Sequence, residues 1–270
     1  ITKYSPDAYL LHESNRFITF NIRIKVVMKD MVKPDALRKA AEKAFCRFPY
    51  YSKQIRIDDD GGIDLIPNPR TISVSPVSSK RTYLFSEEVN YQPCSIEYED
   101  NCIYFNMYHG ICGGCGTFLW VKTTVYEYIC ANYGVHPEPG TTIMADTPVS
   151  EEEYAFPKLE GLPDDTPLGK LKKDEVWFPG LEYLFGFGNL VFSDSVHYEF
   201  QIPKKDLMKF VRENDGSPMT VVAAIMAKAL YRALPKNKLP LRIETNHNYR
   251  AEVSCPKTHH DLLSHIFLLV

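Results

Sequence analysis

Phe105-Asn106-Met107-Tyr108-His109-Gly110-Ile111-Cys112-Gly113-Gly114-Cys115-Gly116 is the stretch on which the reading of this chain turns. Cys102 to Met107 is dense in β-formers, and Thr117 to Tyr133 carries apolar residues at helical spacing. The segment therefore reads as strand, glycine-rich turn and helix, with His109 at the carboxyl end of the strand. That end is where α/β sheets collect ligands, and an imidazole there is suited to take a proton from a hydroxyl, amine or thiol attacking an acyl carbon. A hydrogen-bonded core histidine is the competing reading of the same residue.

Upstream, Ser95 to Glu99 and Ile103 to Met107 form a hairpin that delivers His109. Residues 17 to 28 read as a long first strand, with partial alternation from Phe20 to Lys25. Pro34 then opens an amphipathic helix whose apolar positions, Leu37, Ala40, Ala41, Ala44, Phe45 and Phe48, recur up to Pro49. Gln54 to Ile57 and Ile63 to Ile66 flank Asp58-Asp59-Asp60-Gly61-Gly62, a hairpin tip that lacks the alternating ligands of a calcium loop.

Downstream, prolines and the acidic run Glu151-Glu152-Glu153 between His136 and Gly180 read as a long crossover between lobes. His197 to Ile202 alternates as a strand, and Lys204 to Arg212 reads as a helix. Ser217-Pro218 supplies a cap and a first-turn proline for a second helix over Thr220 to Leu234. Leu241 to Thr245 and the closing run Leu262 to Val270 complete a mixed α/β second lobe. The expected division is 1–180 for the lobe carrying the histidine loop and the crossover, and 181–270 for a partial second lobe.

With 31 basic and 34 acidic side chains in 270 residues, the formal net charge is −3, which argues against nucleic acid or an anionic membrane as main partner. No apolar run approaches the roughly twenty residues needed to cross a bilayer, and the start at Ile1 lacks a signal-peptide pattern. Seven scattered cysteines read as reduced thiols, so the expected compartment is the cytoplasm.

Other constellations are weaker. Cys112-Gly113-Gly114-Cys115 has the spacing of a redox or half-zinc site without a second pair. His259-His260, with His247 and His265, reads as a polar loop before the last strand and not as a metal site; no metal is expected. The aromatic cluster from Trp177 to Phe187 reads as crossover packing or as a tunnel wall. Phosphate-loop, dinucleotide and serine-elbow signatures are not found in the sequence.

Tyr108-His109-Gly110-Ile111-Cys112-Gly113-Gly114 resembles the His-His-x-x-x-Asp-Gly motif of the chloramphenicol acetyltransferase-like superfamily, which includes alcohol acetyltransferases and peptide-synthetase condensation domains. Three further segments resemble the same family: Leu37 to Tyr50 with its Arg-Phe-Pro-Tyr corner at Pro49, Ser217 to Ile225, and Asn248-Tyr249-Arg250. The resemblance implies a two-lobed mixed α/β fold with an active-site channel and His109 as general base. It implies acetyl-CoA or another acyl thioester, or a carrier-protein thioester, as donor, and a small alcohol or amine as acceptor. Two motif positions differ: the first histidine is Tyr108 and the aspartate is Gly113. In the family that aspartate is thought to hold the loop through an arginine salt bridge, so its loss suggests an alternative, a catalytically weak relative kept as a binding module. Restoring Gly113→Asp is then expected to raise activity in an impaired enzyme.

Overall fold

The computed structural model describes residues 8, 10–11, 19–79, 82–156, 201–233, 242–248, 250 and 255–269. They fall into two compact units. The first holds the described residues up to 156 together with Arg250 and 255–263; the second holds 201–248 and 264–269. The expected strand at 197–200, the aromatic cluster at 177–187 and the boundary at 180 lie outside the described residues.

In the first unit, β1 (Asn21–Val27), β6 (Cys102–Tyr108), β5 (Cys94–Glu99) and β4 (Ser73–Pro76) form one sheet in that order. β1 and β5 run antiparallel to β6, whereas β4 is parallel to β5. β6 is thus a central strand, and its near-continuous apolar character follows from burial on both faces: Ile103, Phe105, Met107 and Tyr108 are all buried. Removing a side chain such as Ile103 or Phe105 from water contributes roughly 1.5–3 kcal/mol each. β2 (Lys53–Ile57) and β3 (Ile63–Pro67) make the expected hairpin, and Gly61 at φ +80° supplies the left-handed turn residue.

Two helices cover the sheet. α1 (Pro34–Cys46) begins with proline in its first turn and no side-chain cap; the hydroxyl of Tyr128 accepts from the Lys33 amide at 2.9 Å. Its buried face, Leu37, Ala40, Ala41, Ala44 and Phe45, is the periodic set read from the sequence. α2 (Gly114–Tyr133) is capped by Gly113 in extended conformation and ends at Gly134 in the left-handed region. Trp120 of α2 is fully buried, edge-on to Phe105 at 5.2 Å and to Phe45 at 6.3 Å, so strand and both helices share one core.

Gly116, in the first turn of α2, shows how tightly that end is packed. A Cβ there would lie 2.5 Å from the backbone carbonyl of His259 and 2.9 Å from the Cβ of Cys112. Alanine is the better helix former by about 0.8–1 kcal/mol, but forcing a methyl against backbone costs about 1–3 kcal/mol. The clash wins, and Gly116→Ala is expected to lower the melting temperature by a few degrees. A variant that melts at or above the parent temperature in a calorimetric scan contradicts this packing.

In the second unit, α3 (Lys204–Glu213) precedes α4 (Pro218–Ala233), whose Ser217 side chain accepts from the Thr220 amide at 3.1 Å as the cap the sequence predicts. β7 (Arg242–Asn248) pairs with β8 (Leu263–Leu269). The architecture is the mixed α/β class expected from the sequence.

Candidate active site

His109 follows the last residue of β6, and its amide continues the sheet by donating to the Phe20 carbonyl at 2.7 Å. The backbone then turns through Gly110 to Gly113 into α2. Tyr108 points into the core, with its ring edge-on to Phe85 at 5.2 Å. Alternation therefore sends the next side chain the other way: the His109 side chain is 34% exposed. Its Nδ1 is nonetheless buried, so the exposed part of the ring lies on its other atoms. Nδ1 faces the carboxylate of Asp261, with Oδ2 at 3.2 Å; this is ion-pair distance without hydrogen-bond alignment.

Gly113 leaves room for that carboxylate. A Cβ at 113 would lie 2.7 Å from Asp261 Oδ1 and 3.1 Å from its Cγ. The space where the motif aspartate of the resembled family would begin is therefore occupied by the side chain of Asp261. The carboxylate also sits beside the amino end of α2, where the helix dipole favours negative charge. Adding a second carboxylate with Gly113→Asp places two like charges in that space, so the gain of activity expected from the sequence does not follow from this geometry.

Asp261 ends a strap, residues 255–261, that is tied down at nearly every residue. Arg250, buried, donates through Nε to the Thr258 carbonyl at 2.8 Å and through Nη2 to the His260 carbonyl. The Thr258 hydroxyl donates to the Ala155 carbonyl at 2.7 Å, and the His259 amide donates to the Glu153 carbonyl at 2.8 Å. His260 stacks on Phe156 at 3.7 Å between centroids and tilts against Tyr154 at 4.0 Å.

Beneath the strap runs a buried polar chain. Arg47 donates to both carboxylate oxygens of Glu153, at 2.8 and 2.6 Å, and Tyr50 Oη lies 2.8 Å from Glu153 Oε2 and 2.6 Å from His259 Nδ1. One hydroxyl proton serves one acceptor. The consistent arrangement is Tyr50 donating to Glu153 and accepting from a neutral His259 protonated on Nδ1. Arg47 and Tyr50 come from the Arg-Phe-Pro-Tyr corner, whose Pro49 opens a short 3-10 turn after α1.

Two expectations are corrected here. His259 and His260 were expected in a polar loop, but each is 2% exposed, because the strap lies on aromatic rings. The crossover that holds Glu153 reads from sequence as lacking structure, but Glu151–Tyr154 form a 3-10 turn with Glu153 buried against Arg47. Among the described residues no group of three or more His, Cys, Asp or Glu is placed to hold a metal.

Burial pushes His259 and His260 down to about 4; burial also opposes ionisation of Glu153, but the Arg47 and Tyr50 hydrogen bonds together with the Arg47 charge hold its carboxyl below the ordinary value. As pH falls from about 6.5 towards 4, the unfolded chain binds protons on both histidines that the folded chain does not. The histidine contribution to stability is thus present above that window and lost through it, while Glu153 stays ionised to lower pH. Melting temperature is expected to drop between about pH 6.5 and 4; a flat profile contradicts the burial of the two imidazoles.

Cys112 and Cys115 do not behave as a pair. Cys112 is buried, with burial raising its thiol to about 12, whereas Cys115 is exposed, and both are free thiols. Clefts of about 580 and 450 Å³ in the first unit lie away from His109, the larger lined by Phe45, Pro49, Pro67 and Arg70, the smaller by Lys43, Glu127 and His136. No described helix is long and apolar enough to cross a membrane.

No family model and no curated protein matches the sequence. Among solved structures, polyketide synthase associated protein 5 from Mycobacterium tuberculosis superposes with TM-score 0.61 at 15% identity, over 98% of this chain and 65% of its own length. The chain thus spans about two thirds of that protein and shares its fold. SgcC5 from Streptomyces globisporus aligns over 93% of this chain and 61% of its own at 11% identity and TM-score 0.47. The starter condensation domain of rhizomide synthetase RzmA aligns over 44% of this chain and 34% of its own at 15% identity and TM-score 0.33.

Proposed function

We propose that this chain is an acyltransferase that moves an acyl group from a CoA-type or carrier-protein thioester to an alcohol or amine. The observation that carries the reading is the half-open imidazole of His109 at the end of β6, on the fold shared with a polyketide synthase associated protein. A thioester is already activated, so the work left is to hold the acceptor at the carbonyl carbon and move one proton. His109 Nε2 takes the proton from the acceptor O–H or N–H as that atom attacks the acyl carbon. The C–S bond then breaks, the thiolate leaves with the proton held by the imidazolium, and the imidazole is neutral again. No covalent acyl-enzyme and no metal enters the scheme.

The second reading, a binding module descended from an enzyme, drew its force from the missing carboxylate at position 113. A carboxylate from Asp261 beside the same loop favours the enzyme. The test is release of free thiol from acetyl-CoA, longer acyl-CoA and a carrier-protein thioester, each offered with a panel of alcohols and amines. Acceptor-dependent release that disappears in His109→Ala is the expected result. Thiol release equal in the variant and the parent overturns the assignment of His109, and silence across all donors overturns the acyltransferase reading. The place of action is proposed as the cytoplasm, with a small-molecule acceptor and neither nucleic acid nor membrane as partner.

A further inference from the structure

We propose that Asp261 is the positioning residue of His109: a carboxylate from the strap before β8 fixes the proton of the neutral imidazole on Nδ1. The role of His109 as base rests on the function proposed above; the placement of its proton does not. Three observations converge on one carboxylate. Its Oδ2 lies 3.2 Å from His109 Nδ1, and its Oδ1 occupies the volume that any side chain at 113 would need. The backbone immediately before it is clamped by Arg250, which donates to the carbonyls of Thr258 and His260.

Chemistry explains why the arrangement matters. A neutral imidazole carries its proton on one nitrogen, and the partner of one nitrogen decides the state of the other. A carboxylate accepts and does not donate when ionised, so beside Nδ1 it selects the Nδ1–H form and leaves Nε2 with a free lone pair. At 3.2 Å an ionised carboxylate favours a proton on the facing nitrogen by charge alone, even without full hydrogen-bond alignment. A methyl at 113 would meet Asp261 Oδ1 at 2.7 Å, so a side chain there and the carboxylate in this position exclude each other.

The test reads the tautomer directly. In histidine-labelled protein, two-bond nitrogen–proton correlation spectra at about pH 8 distinguish Nδ1–H from Nε2–H. The parent is expected to show His109 as Nδ1–H. Asp261→Ala and the near-isosteric Asp261→Leu, both without an acceptor, are expected to shift it to Nε2–H or to a mixture. Asp261→Asn keeps an acceptor oxygen and is expected to retain the parental pattern. In the same variants thioester turnover is expected to fall on the order of 100-fold for Ala and Leu, with kcat lowered more than KM is raised, and less for Asn.

The cycle of Gly113→Asp, Asp261→Gly and the double variant supplies a readout independent of catalysis. Gly113→Asp alone is expected to lower the melting temperature, and the double variant to recover part of it, because the inserted carboxylate then has the vacated space. A His109 tautomer unchanged in Asp261→Ala and Asp261→Leu overturns the proposal, as do strictly additive melting shifts in the cycle. A shifted tautomer in a protein that turns over no thioester upholds the positioning role and overturns only the acyltransferase reading.

Discussion

His109→Ala is expected to lower acyl transfer from thioester to acceptor by about 10²- to 10⁴-fold, the range that a positioned general base contributes. It is expected to do so at nearly unchanged stability. The reason is the division of labour around β6: Tyr108 anchors in the core and is 2% exposed, while the His109 side chain is 34% exposed, so an alanine there vacates far less core volume than at 108. Removing the ring also leaves Asp261 on a partly open surface, where an unpaired carboxylate is hydrated. A core histidine behaves in the opposite way, losing stability first and activity only as a consequence. The pair of measurements, turnover and chemical denaturation of the same variant, therefore separates the two readings of this residue. A variant that unfolds several kcal/mol more easily than the parent while keeping its specific activity returns His109 to the core.

The strand at Cys102–Tyr108 was legible because it is dense in β-formers, and the helix at Gly114–Tyr133 because its apolar residues recur at helical spacing and glycines flank it. The α1 face from Leu37 to Phe45 was legible for the same reason. β4 was not: Ser73-Val74-Ser75-Pro76 is four residues with two serines and a proline, and it is a strand only because β5 offers a free parallel edge.

The site divides along the same line. His109 announces itself by local pattern, whereas Asp261 lies 152 positions later in a segment of mixed character and becomes visible only when Gly113 is seen to lack room for a side chain. His259 and His260 read from sequence as a polar loop, and Glu153 as part of a crossover without structure of its own. Their burial depends on the aromatic rings of Tyr50, Tyr154 and Phe156 and on Arg47, which local sequence does not bring together. Periodicity reports an element's own faces; a polar residue's partner is a fact about the whole fold.

Arg47→Ala is expected to cost about 3–5 kcal/mol of stability, the usual result of breaking a buried pair by removing one partner. Arg47 is 2% exposed and holds both oxygens of Glu153, so its loss strands a carboxylate that burial already disfavours. The damage does not stay local. Glu153 accepts from Tyr50, Tyr50 meets His259, and the Glu153 carbonyl holds the His259 amide, so the strap that delivers Asp261 loses its floor. Replacing Arg47 and Glu153 together by methionine and leucine removes both charges and is expected to recover much of the stability, because a well-packed apolar pair is often no worse than a buried ion pair. Recovery should be incomplete, since Tyr50 loses its acceptor. Urea denaturation of the three variants measures this directly. If the double variant is as unstable as Arg47→Ala, then the cost comes from lost packing at the corner and not from the stranded charge.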